Sequence, residues 1–138
     1  KGGNLLLNIG PSPEGELAPA SLERLKELGA WMKVNSSALY GTRAIAPYKE
    51  GKICFTRMMD GTINAVYLAD ESEKQPPETM TITAFAPKAG SPVMMLGVTE
   101  PLKWEKIATG FVVHLPESVR TDPPCSYAWT LCFTPEKP

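Results

Sequence analysis

The chain of 138 residues is 43% hydrophobic and 21% charged, which suits one globular domain with a fragment of a second. Its formal net charge of -1 gives no electrostatic basis for holding nucleic acid or an anionic membrane. No apolar run approaches the roughly 18 residues that a helical membrane span requires. Three cysteines, Cys54, Cys125 and Cys132, are odd in number and show no CxxC spacing, so neither a disulfide framework nor a zinc site is expected. They read as buried or half-buried thiols.

The first element is the run Asn4-Leu5-Leu6-Leu7-Asn8-Ile9, set between Gly2-Gly3 and Gly10-Pro11. A strand this apolar must be buried on both faces, as in a parallel sheet, yet the chain offers no second parallel strand to flank it. It therefore reads as the last strand of something larger, and the lack of an initiator Met is in keeping with an excised piece. Pro11-Ser12-Pro13-Glu14-Gly15 is a turn-rich loop, and Pro19 suits the first position of a helix. Leu22, Leu25, Leu28 and Met32 then recur at helical spacing, with Glu23, Arg24, Lys26 and Lys33 on the other side. The pattern predicts an amphipathic helix over 19–34, with Trp31 at one edge of its apolar stripe. A short second turn around Ser37–Tyr40 closes at Gly41.

From Thr42 onward the period changes. Lys52–Met59 and Thr62–Ala69 alternate on either side of Asp60-Gly61, which predicts a β-hairpin. Thr79–Ala86, Val93–Leu96, Lys103–Ile107, Phe111–Leu115 and Tyr127–Phe133 follow as short strands at the spacing of an antiparallel sandwich. Prolines fall between these runs as turn punctuation. The expected fold is mainly β: an antiparallel β-sandwich over 43–138, preceded by one strand and one helix over 1–42 in the manner of a β/α unit.

The residues carry a resemblance. Gly3-Asn4-Leu5-Leu6-Leu7-Asn8-Ile9-Gly10-Pro11, Glu14-Gly15, Leu25, Leu28-Gly29, Trp31, Asn35 and Leu39-Tyr40-Gly41-Thr42 together resemble the α-L-fucosidases of glycoside hydrolase family 29. The hairpin, including Phe55-Thr56-Arg57, is similar more loosely. Ser36-Ser37 departs from a Gly-acidic pair common in that family, and Ala18-Pro19 shifts the helix start. The resemblance implies that residues 1–42 are the last strand and helix of a (β/α) barrel-like catalytic domain. The rest would be its C-terminal β-sandwich. It implies a parent enzyme that removes terminal α-L-fucose from glycans with retention, using two carboxyl groups roughly 5–5.5 Å apart. In the family both lie upstream of this region, so the chain alone is expected to be inactive, with the upstream barrel as its partner and a fucosylated glycan met only through the whole enzyme. An extracytoplasmic setting is implied, since such enzymes usually act on extracellular, periplasmic or lysosomal glycans.

No residue is expected to be catalytic, to hold a cofactor or to bind a metal. Asn8, at the end of the first strand, is the substrate-rim candidate. Glu14 and Glu16 lie near the same end, where barrel enzymes place their chemistry, but read as solvated loop charges. His114 is the sole histidine and has no metal-ligating neighbours in sequence. Trp31 and Trp129 read as core, and Trp104 as the most exposed of the three. Asn35-Ser36-Ser37 matches the N-glycosylation acceptor pattern. No serine sits in a GxSxG elbow. The reading from a different class is a freestanding carbohydrate-binding sandwich, which requires a platform of exposed aromatics. A third is a structural interaction domain.

Overall fold

The computed structural model describes residues 3–136. Helix α1 (Pro19–Asn35) runs into a single 3-10 turn at Ser36–Ala38. Eight strands follow among the described residues: β1 (Thr42–Glu50), β2 (Ile53–Met58), β3 (Ile63–Leu68), β4 (Thr79–Ile82), β5 (Val93–Met95), β6 (Lys103–Lys106), β7 (Phe111–His114) and β8 (Ala128–Phe133). A short helix α2 (Glu117–Thr121) lies between β7 and β8. Every strand pairing is antiparallel, and the strands form two sheets in the orders β1-β2-β3-β8-β5 and β4-β7-β6.

Period-2 alternation explains how the sheets meet. Ile53 and Phe55 of β2, Ala65 of β3, Met95 of β5 and Trp129, Leu131 and Phe133 of β8 turn to the interior. There they join Met80 and Ile82 of β4 and Phe111 and Val113 of β7 in one apolar cluster. Phe111 and Phe133 meet edge to face between the sheets, with ring centroids 5.0 Å apart. Leu115 and Val119 extend the same cluster into α2. The Asp60-Gly61 turn forms as expected: the Met58 amide donates to Thr62 O at 2.8 Å, and the Thr62 amide to Asp60 Oδ1 at 2.9 Å.

Three elements differ from the sequence expectation, the unannounced α2 among them. β1 carries no alternating pattern, because it is an edge strand whose register slips between Ala44 and Lys49, leaving Ile45–Tyr48 bulged out of the pairing. The run Asn4–Ile9 is not a strand: it takes no regular secondary structure, and no described residue pairs with it. Its composition suits a strand, but a strand exists only where a neighbour supplies hydrogen-bond partners.

One carboxylate staples the two sheets. Glu50, at the end of β1, accepts hydrogen bonds from the Thr83 hydroxyl at 2.7 Å, the Thr83 amide at 2.9 Å and the Ala84 amide at 3.0 Å. Burial pushes the Glu50 carboxyl up, but the bonds from Thr83 and Ala84 outweigh that and hold it below its ordinary value of 4.5. The staple's contribution is therefore complete above that ordinary value and fades as pH falls through the lower folded one. Glu50→Gln should cost about 1–3 kcal/mol at neutral pH. Urea unfolding of both proteins should show the gap closing in acid, and a gap independent of pH would refute the staple.

Candidate functional site

The feature that sets this chain apart from a plain sandwich is α1, which is apolar on two sides. At 3.6 residues per turn, Trp31 and Asn35 share one face, while Leu22, Leu25, Gly29 and Met32 lie on another. The first face docks on the outside of the five-stranded sheet. Ala38, Val66 and Ala128 form a small buried cluster there, with Trp31 and Leu96 packed against it. Trp31 Nε1 donates to Ala128 O at 2.9 Å, and Asn35 Nδ2 donates to Trp31 O at 3.1 Å and to Cys125 Sγ at 3.3 Å. The Cys125 thiol in turn donates to Ala128 O at 3.2 Å, closing a clasp between helix and strand. Burial pushes the Cys125 thiol up, and the Asn35 bond offsets this only in part. This cover explains why the central strands β3 and β8 are buried on both faces over much of their length.

The second face of α1 has no cover among the described residues. Leu22 is 41% exposed and Leu25 37%, and Leu28, at the border with the docked face, is 44%. The segment before the helix is more open still, with Leu5 at 88% and Leu6 at 92%. Leu39 and Tyr40 continue the exposed apolar surface past the helix end. A cleft of about 440 Å³ runs beside the helix, lined by Leu28, Trp31, Leu68 and Tyr127 among others.

Gly97 sets the distance between helix and sandwich. It holds φ +86°, and a methyl placed on it would lie 2.5 Å from Pro124 Cβ and 2.9 Å from Val34 Cγ1. Neither its turn nor this close approach tolerates a side chain. Gly97→Ala should loosen the docking of α1 by about 2–4 kcal/mol, the sum of left-handed backbone strain and overpacking. Trp31 emission should shift to the red in urea well before the sandwich melts; a single coincident transition at the wild-type midpoint would argue against it.

The residues nominated by sequence are scattered. Asn8 is exposed on the unpaired segment, and its side chain makes no hydrogen bond to the described residues. Glu14 and Glu16 are exposed in a turn whose backbone amides donate to Ser12 Oγ at 3.3 Å. His114 Nε2 sits 3.0 Å from Glu105 Oε1 on the three-stranded sheet. Trp129 is buried and donates to Cys125 O at 2.8 Å. Trp104, expected to be the most exposed tryptophan, is half-buried: it stands edge-on to Phe111 and donates to Ser91 O at 3.2 Å. The tryptophans are thus engaged in packing. All three cysteines are free and partly buried. No group of three or more His, Cys, Asp or Glu among the described residues is arranged to hold a metal ion.

The sequence reading missed the roles of Gly97 and Cys125. Gly97 shows only as a turn glycine, and Cys125 is separated from Asn35 by 90 positions. No local signal announces either contact.

Two packed antiparallel sheets, with a helix laid across the outer face of one and apolar again on its far side, define a β-sandwich domain that carries an open apolar surface. The chain belongs to the α-L-fucosidase C-terminal domain family, whose model matches residues 50–134. A separate α-L-fucosidase family model matches residues 1–37. The α-L-fucosidase of Branchiostoma floridae is 34% identical over 136 residues, covering 94% of this chain and 29% of that protein. The tissue α-L-fucosidase of Mus musculus is 31% identical over 138 residues, covering 96% and 29%. Among solved structures, the α-fucosidase of Thermotoga maritima superposes with a TM-score of 0.71 at 28% identity, covering 94% of this chain and 30% of that one. An α-L-fucosynthase of the same organism gives 0.74 at 25%, covering 94% and 29%. The chain spans about 29% of the length of the first curated relatives it matches and corresponds to their C-terminal portion.

Proposed function

We propose that this chain is the C-terminal part of a retaining α-L-fucosidase that hydrolyses terminal α-L-fucose from glycans, and that its own contribution is structural. Residues 1–42 would complete a (β/α) barrel catalytic domain, and residues 43–138 would form the accessory sandwich that buttresses it. In this reading α1 is a shared layer, with Trp31 and Asn35 facing the sandwich and Leu22, Leu25 and Met32 facing the barrel. Asn4–Ile9 becomes a barrel strand once the neighbouring strand is supplied, which would place Asn8 at the rim of the sugar pocket. The observation that carries the proposal is the second apolar face of α1, preceded in the chain by an exposed leucine run that no described residue pairs with. The two family matches, one on each side of residues 38–49, support it.

The test is hydrolysis of an aryl α-L-fucoside. The full chain alone should release no aryl alcohol above buffer, and a longer form carrying the barrel should turn the substrate over. Leu22→Ser with Leu25→Ser should cost the chain alone only about 1–2 kcal/mol, for partial burial and helix propensity, because both positions are already exposed in part. In the longer form the same pair should lower the melting temperature and accelerate loss of activity. Turnover by the chain alone, or indifference of the longer form to the leucine pair, would sink the proposal.

A further inference from the structure

We propose that Asn35 is an N-glycosylation acceptor only while the chain is unfolded, so that modification there and docking of α1 on the sandwich exclude one another. Asn35-Ser36-Ser37 satisfies the Asn-X-Ser/Thr pattern, which belongs on exposed loops. Here Asn35 is 0% exposed and closes the last turn of α1. The atom that would carry the sugar is Nδ2, and it is committed to Trp31 O at 3.1 Å and Cys125 Sγ at 3.3 Å.

In N-glycosylation the amide nitrogen attacks the anomeric carbon of an oligosaccharide carried on a lipid pyrophosphate. The N–C bond forms, the C–O bond to phosphate breaks, the lipid pyrophosphate leaves, and one amide proton is lost to a base. A modified Nδ2 keeps one N–H where the clasp uses two, and its sugar needs space beneath a helix packed against Ala128 and Cys125. Removing Asn35 from its pocket also takes away the bonds that link Trp31 O to Cys125 Sγ. A chain modified before folding therefore cannot seat the end of α1, and a chain folded first cannot be modified. The hydroxyl that completes the acceptor belongs to Ser37, which is exposed and makes no hydrogen bond to the described residues. Acceptor and clasp can thus be separated.

The experiment expresses the full chain behind a secretory leader in a eukaryotic host. Glycan is read as a gel shift that peptide N-glycosidase removes after denaturation. Three chains are compared: wild type, Ser37→Ala, and Gly110→Ala, whose added methyl would lie 1.9 Å from Ile82 O and hold the sandwich open. The glycoform should dominate Gly110→Ala, appear in wild type only in the aggregated fraction, and be lost from Ser37→Ala. The soluble yield of Ser37→Ala should match or exceed that of wild type. A soluble glycosylated wild-type chain with Trp31 emission like the unmodified protein would overturn the proposal. So would a Gly110→Ala chain that gains no glycan.

Discussion

Gly110→Ala should cost at least about 3 kcal/mol, a large part of the roughly 5–15 kcal/mol that holds a domain of this size together. Gly110 turns the chain between β6 and β7 at φ +85°, and its carbonyl accepts the Ile107 amide at 3.1 Å. A Cβ there would lie 1.9 Å from Ile82 O and 2.7 Å from Thr83 Cα, both backbone atoms. Left-handed strain alone is worth about 1–2 kcal/mol. The steric part is harder to relieve, because the end of β4 is held on two sides. Ile82 pairs with Phe111, and Thr83 is gripped by Glu50. Gly61 is the control: it has φ +94° but nothing within 4 Å of its missing Cβ, so Gly61→Ala should show the strain alone. Urea unfolding of both variants measures the difference, and equal losses would mean that the contact with β4 is unimportant.

Phe111→Ala should be of similar size, about 3–5 kcal/mol. The ring is fully enclosed and is the point where the two sheets and an edge strand meet. It stands edge-on to Phe133 at 5.0 Å and to Trp104 at 6.0 Å. Each such pair adds about 0.5–1.5 kcal/mol beyond burial, so the loss belongs at the upper end of that range. Trp104 should respond as well, since truncation removes the ring it packs against while leaving its bond to Ser91. Calorimetry and denaturant titration followed by tryptophan emission report both effects. A loss below about 1.5 kcal/mol would mean that the core closes over the gap and that Phe111 is not the junction described.

Both variants lie in turns and pairings that the sequence only partly announces. Asp60-Gly61 between two alternating runs was legible, because a tight turn and a period of two are properties of neighbouring residues. The α1 stripe was legible for the same reason, and Leu22, Leu25 and Met32 were correctly grouped. The strand β1 was not, since Pro47 and a register slip erase alternation at a sheet edge. The short α2 was hidden too: Pro116 before it reads as a turn, and only Val119 of its five residues is buried. Trp104 reads as the most exposed tryptophan and lies half inside, because its neighbour Phe111 comes from the partner strand; Trp31, which reads as core, is half-buried as well. As for the candidate site, the apolar second face and the leucine run were visible as composition. The clasp of Trp31, Asn35, Cys125 and Ala128 was not, because it joins residues about ninety positions apart.

From its residues alone the chain determined which faces are greasy, where it turns, and that a helical period gives way to strands after Gly41. Those are consequences of side-chain periodicity and backbone preference, which act within a few residues. Only the tertiary structure decided that β8 lies between β3 and β5, and that Gly97 and Gly110 sit where no side chain fits. Sheet order and close approach depend on hydrogen bonds and contacts between distant segments, and no local pattern encodes which distant segment will arrive.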